Sequence, residues 1–290
     1  MTRIHLAVPP NIARTLIQDL SRLFPEAEII PPMTHDEMDH FFTHEFGHEE
    51  ASAHLTLTAY PQALQRALSP EHTHLFAPMP QSLPPMREEL IQIGLKESHP
   101  LFRCVCVVPM MILISNQLES SVSGWADLVA TTQGDKVVIP PHNTPAPNLF
   151  RLYMAELCGE TGVQFADSVH ATLLPQDINK SIDEGTYLAG MAFPAFARTS
   201  RGGNTQAIWP KEGAVAIPLM ALIRKDAPKE AQNILNALFS HDIQNRLARE
   251  GLFVSVRDDV PLIDEMIENQ NTLAWCGWNR HITACTPSAM

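Results

Sequence analysis

The stretch AIWPKEGAVAIPLMALIRKDAPKEAQNILNALFSHDIQNRLAREGLFVSVRDDVP, residues 207–261, decides how this chain is read. It opens on a short strand and turns on Lys211-Glu212-Gly213, where glycine gives the backbone its freedom. A second, wholly apolar strand follows, then two helices, and a closing strand ends before Pro261. Strands that alternate with helices in this way belong to an α/β fold with mainly parallel sheets.

The same alternation holds outward from this stretch. Arg3 to Ala7, Ala27 to Ile30, His54 to Ala59, Lys136 to Ile139 and Leu188 to Phe193 read as strands. Phe102 to Ser115 is too apolar for a half-exposed strand, so it reads as a buried one, broken by Pro109 and resuming at Met110. Asn11 is expected to cap a helix running to about Phe24, with Ile12, Leu16, Leu20, Leu23 and Phe24 on one face. Further helices are expected near His35 to Phe46, over Ser123 to Val129 (a short capped one), over Asn148 to Leu157 and over Gln176 to Glu184.

Composition narrows the function. The 290 residues bury a sizeable core as one large domain or two modest ones. The 24 prolines pair at Pro9-Pro10, Pro31-Pro32, Pro84-Pro85 and Pro140-Pro141 and punctuate the chain. A net charge of −12 disfavours nucleic acid and anionic membrane as partners. No apolar run of about 18 residues exists, so no membrane span is expected. The N-terminus carries no signal-peptide pattern and reads as the first strand. A cytoplasmic protein is expected if the chain is full length, a periplasmic or cell-surface one if a signal was removed. Five cysteines are an odd number. Cys104 and Cys106 read as buried thiols, and Cys276 and Cys285 either pair or stay free according to the compartment.

Several segments together carry a family likeness: Ile4 to Pro9, Ala53 to Pro61, Ile114-Ser115-Asn116, Gly124-Trp125-Ala126-Asp127-Leu128 with Gly134 to Pro140, and Trp209 to Gly213 with Ser240 to Gly251. They resemble the first strand, the cleft strand, the crossover ending in Asn, the "W-x-D-L … G-k-i-x-x-P" signature, and the "P-x-e-G" turn with its "S-x-e-x-Q-x-x-x-x-x-x-G" helix. These belong to the ABC-transporter solute-binding proteins of the type II periplasmic-binding fold, in the branch that includes iron, spermidine and putrescine binders. The resemblance implies two lobes, each a mainly parallel sheet flanked by helices, with two crossover strands as hinge. Lobe one is expected over 1–108 plus 222–290, lobe two over 115–215, and the crossovers near 108–116 and 214–222. It further implies a small solute held in an interlobe cleft, with an ABC-transporter permease as partner. The chain departs from the iron binders in having no adjacent tyrosines; Tyr60, Tyr153 and Tyr187 stand apart.

Ligands of such sheets sit beyond the carboxyl ends of the strands, where helix N-termini favour anions. Four loops qualify, at Pro9-Pro10-Asn11, Thr58-Ala59-Tyr60, His142-Asn143-Thr144 and Pro194-Ala195-Phe196. The candidate ligand contacts are therefore Asn11, Thr58, Tyr60, Asn116, His142, Asn143, Thr144 and Phe196. Asn11 and Asn143 read equally as plain cap or turn residues. Trp209 and Glu212 either line the cleft or brace the hinge. Seven of the 13 histidines lie between His35 and His74. Among these, His40 and His44 stand at i, i+4 and could hold a transition metal, although a solvated polar face explains them as well. No cofactor is demanded. No G-x-S-x-G, phosphate loop or C-x-x-C occurs, so an enzyme is not expected. The alternatives are a cytosolic metal or cofactor handler, and a cleft enzyme using His142.

Overall fold

The computed structural model describes residues 1–30, 33–48, 53–119, 121–199, 203–270 and 272–283. Pro31-Pro32 and Cys285 lie outside them. The strands are β1 (Arg3–Ala7), β2 (Glu28–Ile29), β3 (Leu55–Thr58), β4 (Phe102–Ser115), β5 (Val137–Ile139) and β6 (His170–Ala171). They continue with β7 (Ala189–Ala192), β8 (Thr205–Ile208), β9 (Ala214–Ile223), β10 (Val254–Ser255) and β11 (Leu273–Ala274).

The chain forms two compact units. Among the described residues the first comprises Met1–Val107 and Pro218–Pro261, the second Val108–Ile217 and 262–283. Both boundaries between the main segments fall inside strands, within β4 and within β9.

In the first unit β1 lies between β2 and β3, parallel to both, with Ile4 opposite Ile29 and Leu55. The later half of β9 runs antiparallel to β3, placing Met220 opposite Thr58, and β10 runs antiparallel to the early half of β4. Helix Pro10–Leu23 buries Ile12, Leu16 and Leu20, the i, i+4 stripe expected of a helix laid on a sheet. The helix His241–Arg249 is pinned by Gln244, which is fully buried. Its Nε2 donates to the Val105 and Leu238 carbonyls at 2.9 and 2.8 Å, and its Oε1 accepts from Ser255 Oγ at 2.6 Å. The glutamine of the "S-x-e-x-Q" pattern is thus a core pin with every polar atom used.

In the second unit β5 lies between β6 and β7, parallel to both. The later half of β4 pairs antiparallel with β7 on one side and β8 on the other. Residues 262–283, expected in the first unit, belong here. The reason is local: β11 pairs parallel with β9 at Ala214 and Val215, and Arg280 reaches Glu156 at 2.6 Å.

Three local expectations change. β4 passes through Pro109 unbroken, because the fixed proline φ suits extended backbone and only one donor is lost. The helix begun at His35 ends at His40 and continues as a π turn, Phe41–Glu45. The helix expected over Asn148–Leu157 extends over Pro145–Ser168, with a break at Gly159 (φ 59°, ψ −139°) that only glycine adopts without strain.

Candidate functional site

The carboxyl ends of β1 and β3 give the first set of candidate loops. Asn11 is not the helix cap. Pro9 holds that position, Pro10 opens the helix, and Asn11 Nδ2 donates to the Gly251 carbonyl at 3.3 Å. Thr58 is fully buried and its hydroxyl accepts from the Tyr60 amide at 3.1 Å. Tyr60 is also buried. Its ring stacks on Phe42 at 5.2 Å, and its hydroxyl lies 3.2 Å from His35 Nδ1. Burial, then the nearby Asp39 and Asp36, push the phenol well above its ordinary pKa.

The carboxyl ends of β5 and β7 give the second set. His142 is exposed. Thr144 precedes the helix but turns its hydroxyl to the Pro141 carbonyl at 2.6 Å, so it does not cap the helix. Phe196 meets Phe193 edge-on at 5.1 Å, and its carbonyl accepts from Thr199 Oγ1 at 2.7 Å and from Asn179 Nδ2. Asn179 positions this loop, and the sequence reading missed it. An asparagine on the buried face of an amphipathic helix was the available signal.

All four loops lead into helices whose first residue is proline: Pro10, Pro61, Pro145 and Pro194. None is capped by a side chain. Proline removes the N1 donor. At N3 the amides of Ile12, Ala63 and Phe196 turn back on the preceding cap carbonyls at 3.2, 3.1 and 3.0 Å, and Pro147 has no amide hydrogen. The donor capacity of each start therefore narrows to N2: Asn11, Gln62, Ala146 and Ala195. This is a leaner anion-binding edge than the sequence predicts.

Three candidates serve the fold. Glu212 sets its two carboxylate oxygens on the amides of Trp125 and Ala126 at 2.9 and 3.2 Å, capping the helix Trp125–Thr131. Trp125 Nε1 donates to the Gly213 carbonyl at 2.9 Å, and Lys211 Nζ reaches Asp127 at 2.9 Å. The hydrogen bond from Ser123 first, and then that from Lys211, hold the Asp127 carboxyl down to about 2. The W-x-D-L and P-x-e-G motifs are thus two halves of one lock. Trp209 is buried and donates to the Thr272 carbonyl at 2.8 Å. Asn116 is exposed, but its Nδ2 donates to the Gly203 carbonyl at 2.9 Å.

His40 and His44 have ring centroids 4.9 Å apart, and His40 Nε2 lies 3.4 Å from Glu45. Among the described residues no group of three His, Cys, Asp or Glu is placed to hold a metal ion. Tyr60 and Tyr153, both buried, offer no substitute. The buried Tyr153 donates to the Glu212 carbonyl at 3.3 Å, and burial first, then Glu212 and Glu156, raise its phenol pKa as Tyr60's is raised. Cys104 and Cys106 are buried, and burial raises both thiols. Among the described residues no helix is long and apolar enough to cross a membrane.

Solved structures share this fold across nearly the whole chain. An apo ferric ion-binding protein A from Pasteurella haemolytica has a TM-score of 0.73 at 13% identity, covering 97% of this chain and 93% of that one. A Trichodesmium protein (IdiA, FutA) in complex with iron and citrate has a TM-score of 0.70 at 15% identity, covering 97% and 94%. A ferric binding protein from Campylobacter jejuni has a TM-score of 0.71 at 12% identity, covering 97% and 95%. At these identities the likeness shows the fold, that of the type II periplasmic binding proteins expected from the sequence. No curated protein sequence matches. A family model matches residues 53–283, most of the chain, and by it this protein belongs to the bacterial extracellular solute-binding proteins.

Proposed function

We propose that this solute-binding protein captures a small solute on the strand-end loops described above and delivers it to an ABC-type permease outside the cytoplasm. Each unit has its own candidate contacts: His142, Asn143 and Phe196 in the second, and the helix starts at Asn11 and Pro61, beside the buried Tyr60, in the first. One observation carries the reading: four uncapped helix starts stand at the carboxyl ends of parallel strands, and residues 7–11, 58–62, 139–146 and 192–197 contain no Lys, Arg, Asp or Glu. Such an edge binds through single amides, ring faces and neutral side chains rather than ion pairs. Among the described residues no group of three His, Cys, Asp or Glu is placed to hold a metal ion, and Tyr60 and Tyr153 are buried, which favours a small solute over a bare ion.

Native mass spectrometry of protein purified without denaturation tests this. The expected result is an excess mass that is lost on acid denaturation, and a melting temperature that falls by several degrees after dialysis and recovers when the released extract is returned. His142→Ala is expected to weaken retention of that mass while leaving the melting temperature of the stripped protein unchanged. Absence of both the mass and the thermal response would remove the support for solute capture.

A further inference from the structure

The second unit carries a groove at the amino end of β5, the opposite end of that strand from His142. Its volume is about 420 Å³, within the range of small-molecule sites. One wall is a connection: the helix Trp125–Thr131 ends, Thr132 and Gln133 follow, and a 3₁₀ turn over Gly134–Lys136 leads into β5. The other wall is the last two turns of the helix Pro145–Ser168, with Thr161, Gln164 and Ser168. Gly134 lets the walls meet, since a Cβ there would lie 1.9 Å from Ser168 Oγ and 2.9 Å from the Phe165 carbonyl. Phe165 also lines the groove, its ring 6.5 Å from that of Phe150. Thr132 is the anomaly. It is only 8% exposed, and its Oγ1 is buried with no hydrogen-bond partner. Thr131 shows the ordinary solution, donating back to the Asp127 carbonyl at 2.7 Å. Thr132, on extended backbone (φ −130°, ψ 139°), does not follow it. Buried hydroxyls are almost always hydrogen-bonded, so an orphan that lines a groove points to a partner from outside the chain.

We propose that this groove is a second binding site, separate from the strand-end loops, for an uncharged pyranose sugar unit. Thr132, Thr161 and Ser168 bring hydroxyls, Gln133 and Gln164 bring amides, and Asp135 brings a carboxylate. Hydroxyls and amides donate and accept, as each sugar hydroxyl does, and a carboxylate takes two adjacent hydroxyl donors at once. Ser168 Oγ already donates to the Phe165 carbonyl at 2.7 Å, which leaves it as an acceptor. Phe165 and Val129 add apolar surface for the C–H face of the ring. Charge and composition exclude the other classes. Among the described residues that line the groove there is no Lys or Arg to neutralise an anion; Lys136 lies outside the lining, its Nζ 3.9 Å from Asp135. A single exposed carboxylate gains little from an organic cation and is too small a donor set for a metal ion. An apolar ligand would leave the wall's polar groups unpaired. The same sugar chemistry comes from a free saccharide or from a unit within a glycan chain.

Two-dimensional NMR of the full chain tests the site, with glucose, galactose, mannose, N-acetylglucosamine, soluble dextran and glucose 6-phosphate as probes. At least one neutral saccharide should give saturable shifts at millimolar concentration, confined to residues 129–135 and 161–168. Shifts with the monosaccharides assign a free sugar, and shifts with dextran alone assign a glycan chain. Glucose 6-phosphate should bind about tenfold more weakly than glucose, because Asp135 repels it and no cation in the lining holds it. Thr132→Val removes the orphan hydroxyl and keeps the shape. It should leave the melting temperature of the free protein unchanged or raised, yet weaken sugar binding about tenfold. Asp135→Asn, an exposed change, should weaken it as well. His142→Ala should leave these shifts intact, so this site and the solute loops succeed or fail separately. No saturable shift with any neutral saccharide, shifts spread over the whole chain, or equal affinity in Thr132→Val and the unaltered protein would overturn the proposal.

Discussion

Glu212 shows how much one side chain can carry across sequence distance. It caps a helix that begins 87 residues earlier. Gly124, the residue before that helix, has no Cβ, and one placed there would lie 1.9 Å from Glu212 Oε2. Glu212→Gln should cost about 1–2 kcal/mol in urea unfolding, from a charged cap made neutral. Gly124→Ala attacks the same contact from the other side. The double variant should therefore cost clearly less than the sum of the two; full additivity would show that they do not share this contact. The sequence made both motifs visible but not their bond. Spacing within WADL or WPKEG says nothing of which backbone amides lie beyond a turn, so Glu212 and Trp209 stayed open between cleft and brace. Asn11 was misread for a related reason: cap preference favours Asn, while the Pro9-Pro10 pair had already fixed the start one residue earlier.

Strands and amphipathic helices were legible because burial imposes a period, and that period survives in apolar spacing. What was not legible breaks the period locally. The π turn after His40 adds a residue to one turn, and the helix from Pro145 keeps its apolar residues on both sides of a break. The candidate loops were found from strand order alone, but their donor poverty needed the helix starts themselves. Gly159 tests the break directly. Open space surrounds it, yet its backbone lies where a side chain is strained. Gly159→Ala should destabilise the protein by about 1–3 kcal/mol in denaturant unfolding although the new methyl touches nothing. A neutral result would mean that the helix straightens to accept it.

Among the described residues each unit buries an imidazole with unpartnered nitrogen, Nδ1 of His5 in the first and both ring nitrogens of His281 in the second. His5 lies under Phe41 and Phe42, and His281 lies among Trp275 and Trp278. Burial lowers His5 to about 4 and His281 to about 3. The unfolded chain protonates both near the ordinary histidine pKa, so stability is full above about 6.5 and falls as pH drops toward the folded values. Between pH 7.5 and 5 each should cost about 2 kcal/mol. His5→Phe and His281→Phe should each flatten part of the acid slope in urea midpoints, and an unchanged slope in both would refute the assignment. The mid-strand boundaries carry a consequence for genetic dissection. Because β4 and β9 belong to both units and residues 262–283 return to the second, neither unit is a single piece of gene. A fragment of residues 108–217 would leave the β9 edge at Ala214 and Val215 bare and take Thr272 away from the Trp209 indole. It should remain largely unfolded by circular dichroism, and a synthetic peptide of residues 262–283 should restore helix to it by complementation.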